Sequence, residues 1–174
     1  LPAHFVEPSL VANLLTAIEQ QKRIEVDYIS LRSTEYDGRI IAPHHFVYDG
    51  LRWHVRAFDE KHQAFLDFNL SRFQGAGEIE ENTIKPPTAQ DDNEWQTQVD
   101  VVIVPDPRLS PAQKACIERE YQMQNGQLII QCRAALVKYV LLRLRLDIYK
   151  NTAEAQQIML EPNCQKALKP YVPG

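Results

Sequence analysis

The sequence predicts an α+β chain in two lobes: a helix leading into a small twisted barrel or sheet, then a polar connection and a smaller α+β unit. Three observations carry this. A helical apolar period over Ser9–Gln21 gives way, from Arg23 to about Gly75, to strand-like runs punctuated by turn signals. Between Gly75 and Gln98 the composition turns acidic and proline-containing, with six Asp/Glu against the single Lys85, as expected of a solvated connection. A strong β run, "QVDVVIVP", then opens the second lobe and a capped helix follows it.

Each element has a local reason. Leu10, Leu14 and Ile18, flanked by Val11 and Leu15, form the i, i+4 stripe of an amphipathic helix, with Ser9 placed to cap it. "RIEVDYISLRS" reads as the first strand, and Asp37-Gly38 as a hairpin turn. "RIIAPHHFVY" is the second strand, with Pro43 at an edge or bend, and Asp49-Gly50 turns the chain again. "LRWHVRAF" is the third strand, "DEKHQ" a turn and "AFLDFNLSRF" the fourth. Four short strands between tight turns suit a small barrel or sheet with the helix over one end. In the second lobe, Ser110 caps a helix with Pro111 at its first position, and Asn125-Gly126 turns into the strand "QLIIQCRA". "ALVKYVLLRLRLD" reads as helical, with Leu136, Val140, Leu144 and Leu141 inward; a short strand at Ile158–Leu160 and a helical turn end the chain. The resulting boundaries are a linking helix over 1–22, the strand-rich lobe over 23–75, the acidic linker over 76–98 and the α+β extension over 99–174.

Charge and cysteine usage exclude several function classes. A net charge of −4 over 174 residues argues against non-specific binding of duplex DNA by the whole chain, which rests on Lys and Arg neutralising phosphates. The linker carries much of that acidity; from Val99 on, ten Lys/Arg face seven Asp/Glu. Cys116, Cys132 and Cys164 are widely spaced and read as small buried thiols of a reduced, cytosolic protein. No apolar run approaches the ~20 residues needed to cross a bilayer, so no membrane partner is expected. The chain opens on Leu1 rather than methionine, which reads as part of something longer.

Catalytic and metal chemistry find little support. His44 and His45 are adjacent, so a regular strand points them to opposite faces, and no His-x-His or Glu-x-x-His spacing occurs. There is no Gly-x-Ser-x-Gly elbow, Gly75-Ala76-Gly77 is too short for a phosphate loop, and Asp91-Asp92 reads as solvated linker charge. No enzyme, metal or cofactor is implied. What stands out is "LRWHVRAFDE", which sets Arg52, His54 and Arg56 on one strand face and Trp53, Val55 and Ala57 on the other. With Tyr28, Ser30, Arg39 and Arg72 on neighbouring strands, these groups form either an anion pocket, since Arg offers a planar fork for phosphate, or a solvated face; spacing alone leaves both open.

Taken in order, "Y-I-S", "R-I-I-A-P", "R-W-H-V-R-A-F" and "F-L-D-F-N-L-S-R-F" resemble the WYL domain, from about Ile24 to Phe73. The resemblance implies a small Sm/SH3-like β-barrel over 23–75, the ligand-sensing part of bacterial transcription regulators. Trp53-His54-Val55 stands where that family has its eponymous Trp-Tyr-Leu, so His54 for Tyr is the real departure. From about Val99 the chain resembles the C-terminal extension of many WYL proteins, implicated in dimerisation and regulation. The variants "RWHVRAF" and "DFNLSRF" are most similar to regulators of anti-phage defence operons, which carry a winged helix-turn-helix before the WYL domain. None is expected here, because the opening helix is followed at once by strands; operator DNA would be met through a domain not in this chain.

Carried over position by position, the resemblance implies a ligand pocket of Tyr28, Ser30, Arg39, His44 or His45, Arg56 and Arg72, with Phe68 as a stacking ring. Trp53 and Val55 belong to the core, and Arg52 shares the polar face by parity without a family counterpart. The implied ligand is an anionic nucleotide or a single-stranded nucleic acid, to which arginines and aromatic rings are suited. The expectation is therefore the ligand-sensing and dimerisation region of a transcriptional repressor, acting as a homodimer. The alternative is a free-standing single-stranded nucleic-acid-binding Sm-like barrel protein, which leaves the second lobe unexplained.

Overall fold

The computed structural model describes residues 5–81 and 84–172, and the chain divides into two compact units between Asp92 and Asn93. In the first unit the helix α1 (Pro8–Glu19) starts one residue before the expected cap. Pro8 takes the first position, where its missing N–H costs nothing, and Ser9 lies inside the helix, its hydroxyl donating to Glu7. Leu10, Leu14 and Ala17 are its buried residues.

Five strands follow: β1 (Ile24–Tyr28), β2 (Asp37–Tyr48), β3 (Trp53–Asp59), β4 (Ala64–Asn69) and β5 (Phe73–Ile79). All pairs are antiparallel, in the order β4-β3-β2-β1-β5. The run expected as one fourth strand is thus two, broken by a single 3-10 turn at Leu70–Arg72 that Asn69 caps. The α+β class and antiparallel pairing are as expected. No β4–β5 ladder among the described residues closes the sheet into a barrel. The core lies between α1 and the inner face of the sheet, built on Ile24, Val26, Tyr28, Ile41, Val55, Ala57, Phe68 and Leu70.

Two local departures have physical causes. Asp37-Gly38 is not a turn but the start of β2, facing Tyr28 and Asp27 across the ladder, so the β1–β2 connection is the longer stretch 29–36. In β5, Gly75, Ala76 and Gly77 face the single Val26, and Gly75 and Gly77 have φ of 72° and 68°. A Cβ on Gly77 would come 3.0 Å from the Glu25 carbonyl oxygen, so that bulge needs glycine for space as well as for backbone conformation. Asn13 of α1 donates to the carbonyls of Ala76 and Gly77, fastening the helix to the bulge.

The second unit holds a short helix α2 (Asn93–Gln96), then β6 (Gln98–Pro105), α3 (Pro111–Glu120), β7 (Leu128–Arg133), α4 (Val137–Arg143), α5 (Ala153–Gln156), β8 (Ile158–Leu160) and α6 (Pro162–Leu168). Its three-stranded antiparallel sheet has the order β7-β6-β8. Ser110 and Gln113 form a reciprocal capping box at α3, and Asn125 and Gly126 both have positive φ, the backbone an Asn-Gly turn provides. The apolar run "ALVKYVLLRLRL" makes only a seven-residue helix, after a 3-10 turn at Ala134–Leu136. Val137 and Leu141 are its fully inward residues; Leu136, Val140 and Leu144 are half-buried. Cys164 is buried, its sulfur bonded to the Val102 amide and the Asp100 carbonyl, whereas Cys116 is exposed, contrary to the expected core role. No helix among the described residues is long and apolar enough to cross a membrane.

Candidate functional site

The outer face of β2–β4 gathers three of the groups that the sequence singles out, His44, His45 and Arg56. On β3, Val55 and Ala57 enter the core, and His54 and Arg56 point the other way. Trp53 has the parity of Val55 but is 50% exposed, not in the core as expected. It lies at the turn end of the hairpin, outside the core cluster, and packs on the cross-strand ring of Tyr48 with centroids 5.1 Å apart.

A bulge in β2 decides where the histidines go. Pro43 pairs with Ala57 and His45 with Arg56, so His44 is an extra residue with no partner position on β3. The bulge also explains a proline in a central strand, where a ladder donor would otherwise be lost. Strict alternation would send the two imidazoles to opposite faces; instead they meet, Nδ1 to Nδ1 at 2.7 Å. The Nε2 of His44 lies 3.1 Å from an oxygen of Asp92, and its ring packs edge-on against Phe65.

Asp92 is the group that spacing did not reveal. Instead of sitting in water it is 1% exposed, and Arg56 beside it is 3% exposed. The Nε of Arg56 donates to one Asp92 oxygen at 2.6 Å and Nη2 to the other at 3.0 Å; Nη1 reaches Asp67 on β4 at 3.3 Å. The chain arrives at Asp92 by way of Pro86 and Pro87, which line a hollow with Phe58 and Phe65, and then a one-turn helix over Ala89–Asp91. That turn is closed by a reciprocal Thr88–Asp91 capping box, so the Pro86–Asp92 part of the expected linker is folded onto the sheet. Asp67 was within reach of sequence reasoning, since register alone places it across from Arg56. Asp92 was not: its only signal is an acid a few residues after two stiffening prolines.

The protonation states follow from this geometry. Burial would lower the pKa of Arg56, but hydrogen bonding and charge from Asp92 and Asp67 outweigh it and raise the pKa, so the guanidinium is permanently charged. Burial dominates at His44 and lowers its pKa despite the hydrogen bond to Asp92, which keeps it neutral at neutral pH. A neutral His44 donating from Nε2 to the carboxylate has a lone pair on Nδ1, which accepts the Nδ1–H of His45. A cavity of about 210 Å³ adjoins this pair, lined among others by Lys22, Pro43, His44, His45 and Thr88.

The other expected site residues go elsewhere. Arg39 donates to Asp37 at 3.0 Å and to Asp59 at 2.8 Å, and His62 also binds Asp59. By its pairing this cluster lies on the core side of the sheet, beyond Ile41, and so on the opposite face from Arg56. Tyr28 and Phe68 are core rings in edge contact at 4.9 Å, with the Tyr28 hydroxyl accepting from the Asn69 amide. Ser30 is engaged in its own loop with Ser33, and Arg72 is half-buried at the β4–β5 break. His54 bonds Asp49, whose other oxygen accepts the amides of Leu51 and Arg52; it latches the hairpin turn. The structure thus brings His44, His45 and Arg56 together and sets Arg39, Tyr28, Phe68, Ser30 and Arg72 apart from them. Among the described residues no group of three or more His, Cys, Asp or Glu is placed to hold a metal ion.

An antiparallel sheet carrying a buried Arg–carboxylate–imidazole cluster is followed by a small α+β unit, and comparison with known proteins gives the two units a family. Residues 9–77 match the WYL domain, and residues 98–171 match the family described as BrxR transcriptional regulator, C-terminal dimerization domain. The chain belongs to the WYL proteins with a BrxR-type C-terminal domain. Its relatives include the DNA-binding transcriptional repressors CapW of Pseudomonas aeruginosa (40% identical, over 79% of this chain and 45% of the relative) and of Escherichia coli strain KTE188 (34%, 94% and 52%). CapW of Stenotrophomonas maltophilia is 32% identical over 95% of this chain and 55% of the relative. The chain therefore spans about half the length of the curated relatives it matches.

Proposed function

We propose that this chain is the ligand-sensing and dimerising region of a transcriptional repressor, with an anionic nucleotide or single-stranded nucleic acid taken up at the polar WYL face. One observation carries the reading: the WYL and BrxR-type units stand in tandem, and the CapW repressors match this chain across 79–95% of its length. In support, Arg56 presents a guanidinium fork already engaged with a two-oxygen anion, the geometry that also suits phosphate. Operator DNA would be contacted by sequence outside this chain, and ligand binding would shift a repressor dimer between DNA-competent and incompetent states by preferring one of them. Two measurements test this. Sedimentation equilibrium should give a dimer, and a monomer at tens of micromolar overturns the assembly. A fluorescein-labelled single-stranded oligonucleotide should bind the full chain and lose affinity in Arg56→Ala. Equal affinity in that variant and wild type overturns the pocket.

A further inference from the structure

We propose that Asp92 stands where a ligand phosphate belongs, so that the phosphate binds Arg56 and His44 by expelling Asp92 from the sheet. This rests on the reading that the WYL face takes a phosphorylated ligand. Geometry is the first support. The two oxygens of Asp92 accept from Arg56 Nε, Arg56 Nη2 and His44 Nε2, three converging donors that match two non-bridging phosphate oxygens equally well.

Charge makes the exchange obligatory. Arg56 already faces two carboxylates, Asp92 and Asp67, and His44 is held neutral. These side chains are each at most 6% exposed. A phosphate added to this set without loss of a carboxylate would leave a buried excess of negative charge, which low-dielectric surroundings do not tolerate. Asp67 cannot leave, because it is the direct cross-strand neighbour of Arg56 within β4. Asp92 belongs to no strand and directly follows the helical turn Ala89–Asp91. It is the carboxylate that can give way.

Position gives the exchange a consequence. Asp92 is the last residue of the first unit and Asn93 opens the second. Expelling it frees the stretch that enters the C-terminal domain, so occupancy of the pocket is read out at the domain junction. The ligand needs no contact with the second unit to do this; it needs only to prefer the released state.

The test uses the full chain, a short fluorescein-labelled single-stranded DNA oligonucleotide and a nucleoside monophosphate as competitor. Asp92→Asn removes the competing charge and should tighten oligonucleotide binding about tenfold or more, the gain expected when a competent state populated at a few per cent becomes dominant. Hydrogen exchange on the wild-type chain is independent of any variant's folding. Saturating oligonucleotide should speed exchange at the amides of Asp91 and Asp92, which in the resting protein bond to Thr88 and Ala89. Competition by the mononucleotide assigns a single phosphate as the displacing group. Tightening by Asp92→Asn without such competition assigns a strand phosphate. Binding that is lost in Arg56→Ala but no tighter in Asp92→Asn, or exchange unchanged at saturation, overturns the displacement and leaves the ligand reading standing. No binding by wild type, or binding indifferent to Arg56→Ala, overturns both.

Discussion

Two arginines of the first unit, on opposite faces of one sheet, are neutralised in different ways. Arg39 takes its carboxylates from its own surroundings in the sheet: Asp37 on the same strand and Asp59 on the adjoining β3. Asp59 has no exposed surface at all and also binds His62 and the Lys61 amide, so the cluster staples the β3–β4 turn to β2. Arg56 takes Asp67 from the neighbouring strand, but its closest partner, Asp92, comes from 36 residues downstream and from outside the sheet. A charge matched from within the ladder is committed as long as the sheet exists. A charge matched by a strap can be matched by something else. The same residue type therefore builds a static staple on one face and an exchangeable site on the other.

The largest effect that would break this contrast belongs to the staple. Asp59→Ala leaves Arg39 with the partly exposed Asp37 as its carboxylate, and removing one partner of a buried pair typically costs ~3–5 kcal/mol. Urea unfolding of the full chain should show the loss as a lower midpoint at unchanged slope. Asp92→Ala should cost less, roughly 1–3 kcal/mol, because Asp67 still faces Arg56 and the freed segment can admit water. Equal losses in the two variants would mean that the strap is as much part of the fold as the strands, and would collapse the distinction.

A smaller effect appears on acidification. The pKa of His44 in the folded chain lies below its ordinary value of 6.5, with burial the leading cause. Between that lowered value and 6.5 the unfolded chain binds more protons than the folded one, so stability rises with pH there. The His44 contribution is complete above pH 6.5 and is lost as pH falls through the folded value. Asp49 and Asp106, also lowered in the folded chain, act only below about their ordinary value of 3.8, well under the pH at which the His44 loss begins. Thermal midpoints should accordingly hold steady above neutrality and decline below pH 6.5, and His44→Gln should flatten that first decline. A decline of undiminished steepness in the variant would show that protonation elsewhere is responsible.

What the sequence made legible follows from how locally each feature is determined. The strands "QVDVVIVP" and Ile158–Leu160, the Ser110 cap and the Asn125-Gly126 turn stand where local patterning places them, because neighbours in sequence decide them. The break at Leu70 and the bulge at His44 were not legible. Each depends on pairing with a distant strand: alternation read along β2 assumes a ladder without extra residues, and one extra residue reverses every face after it. The site inherits that limit. Parity put Arg56 on one face with Arg52 and His54, and the family resemblance selected it; its partner Asp92 could not be read, since nothing short of the folded chain says which of six acids in a polar connection turns inward.

Trp53 sets the low end of the scale. Its parity places it with Val55, and burial separates them: Val55 is wholly enclosed and Trp53 is half exposed beside Tyr48. Alternation states which face a residue shares; whether that face is covered depends on what packs on it, and Trp53 stands outside the core cluster. Val55→Ala should cost about 2 kcal/mol through lost burial and the void left behind. Trp53→Ala, despite deleting a far larger side chain, should cost less than ~1 kcal/mol, the worth of one exposed aromatic pair, and should leave oligonucleotide affinity unchanged. A Trp53 loss larger than that of Val55 would show that this end of the hairpin is buried in the assembled protein.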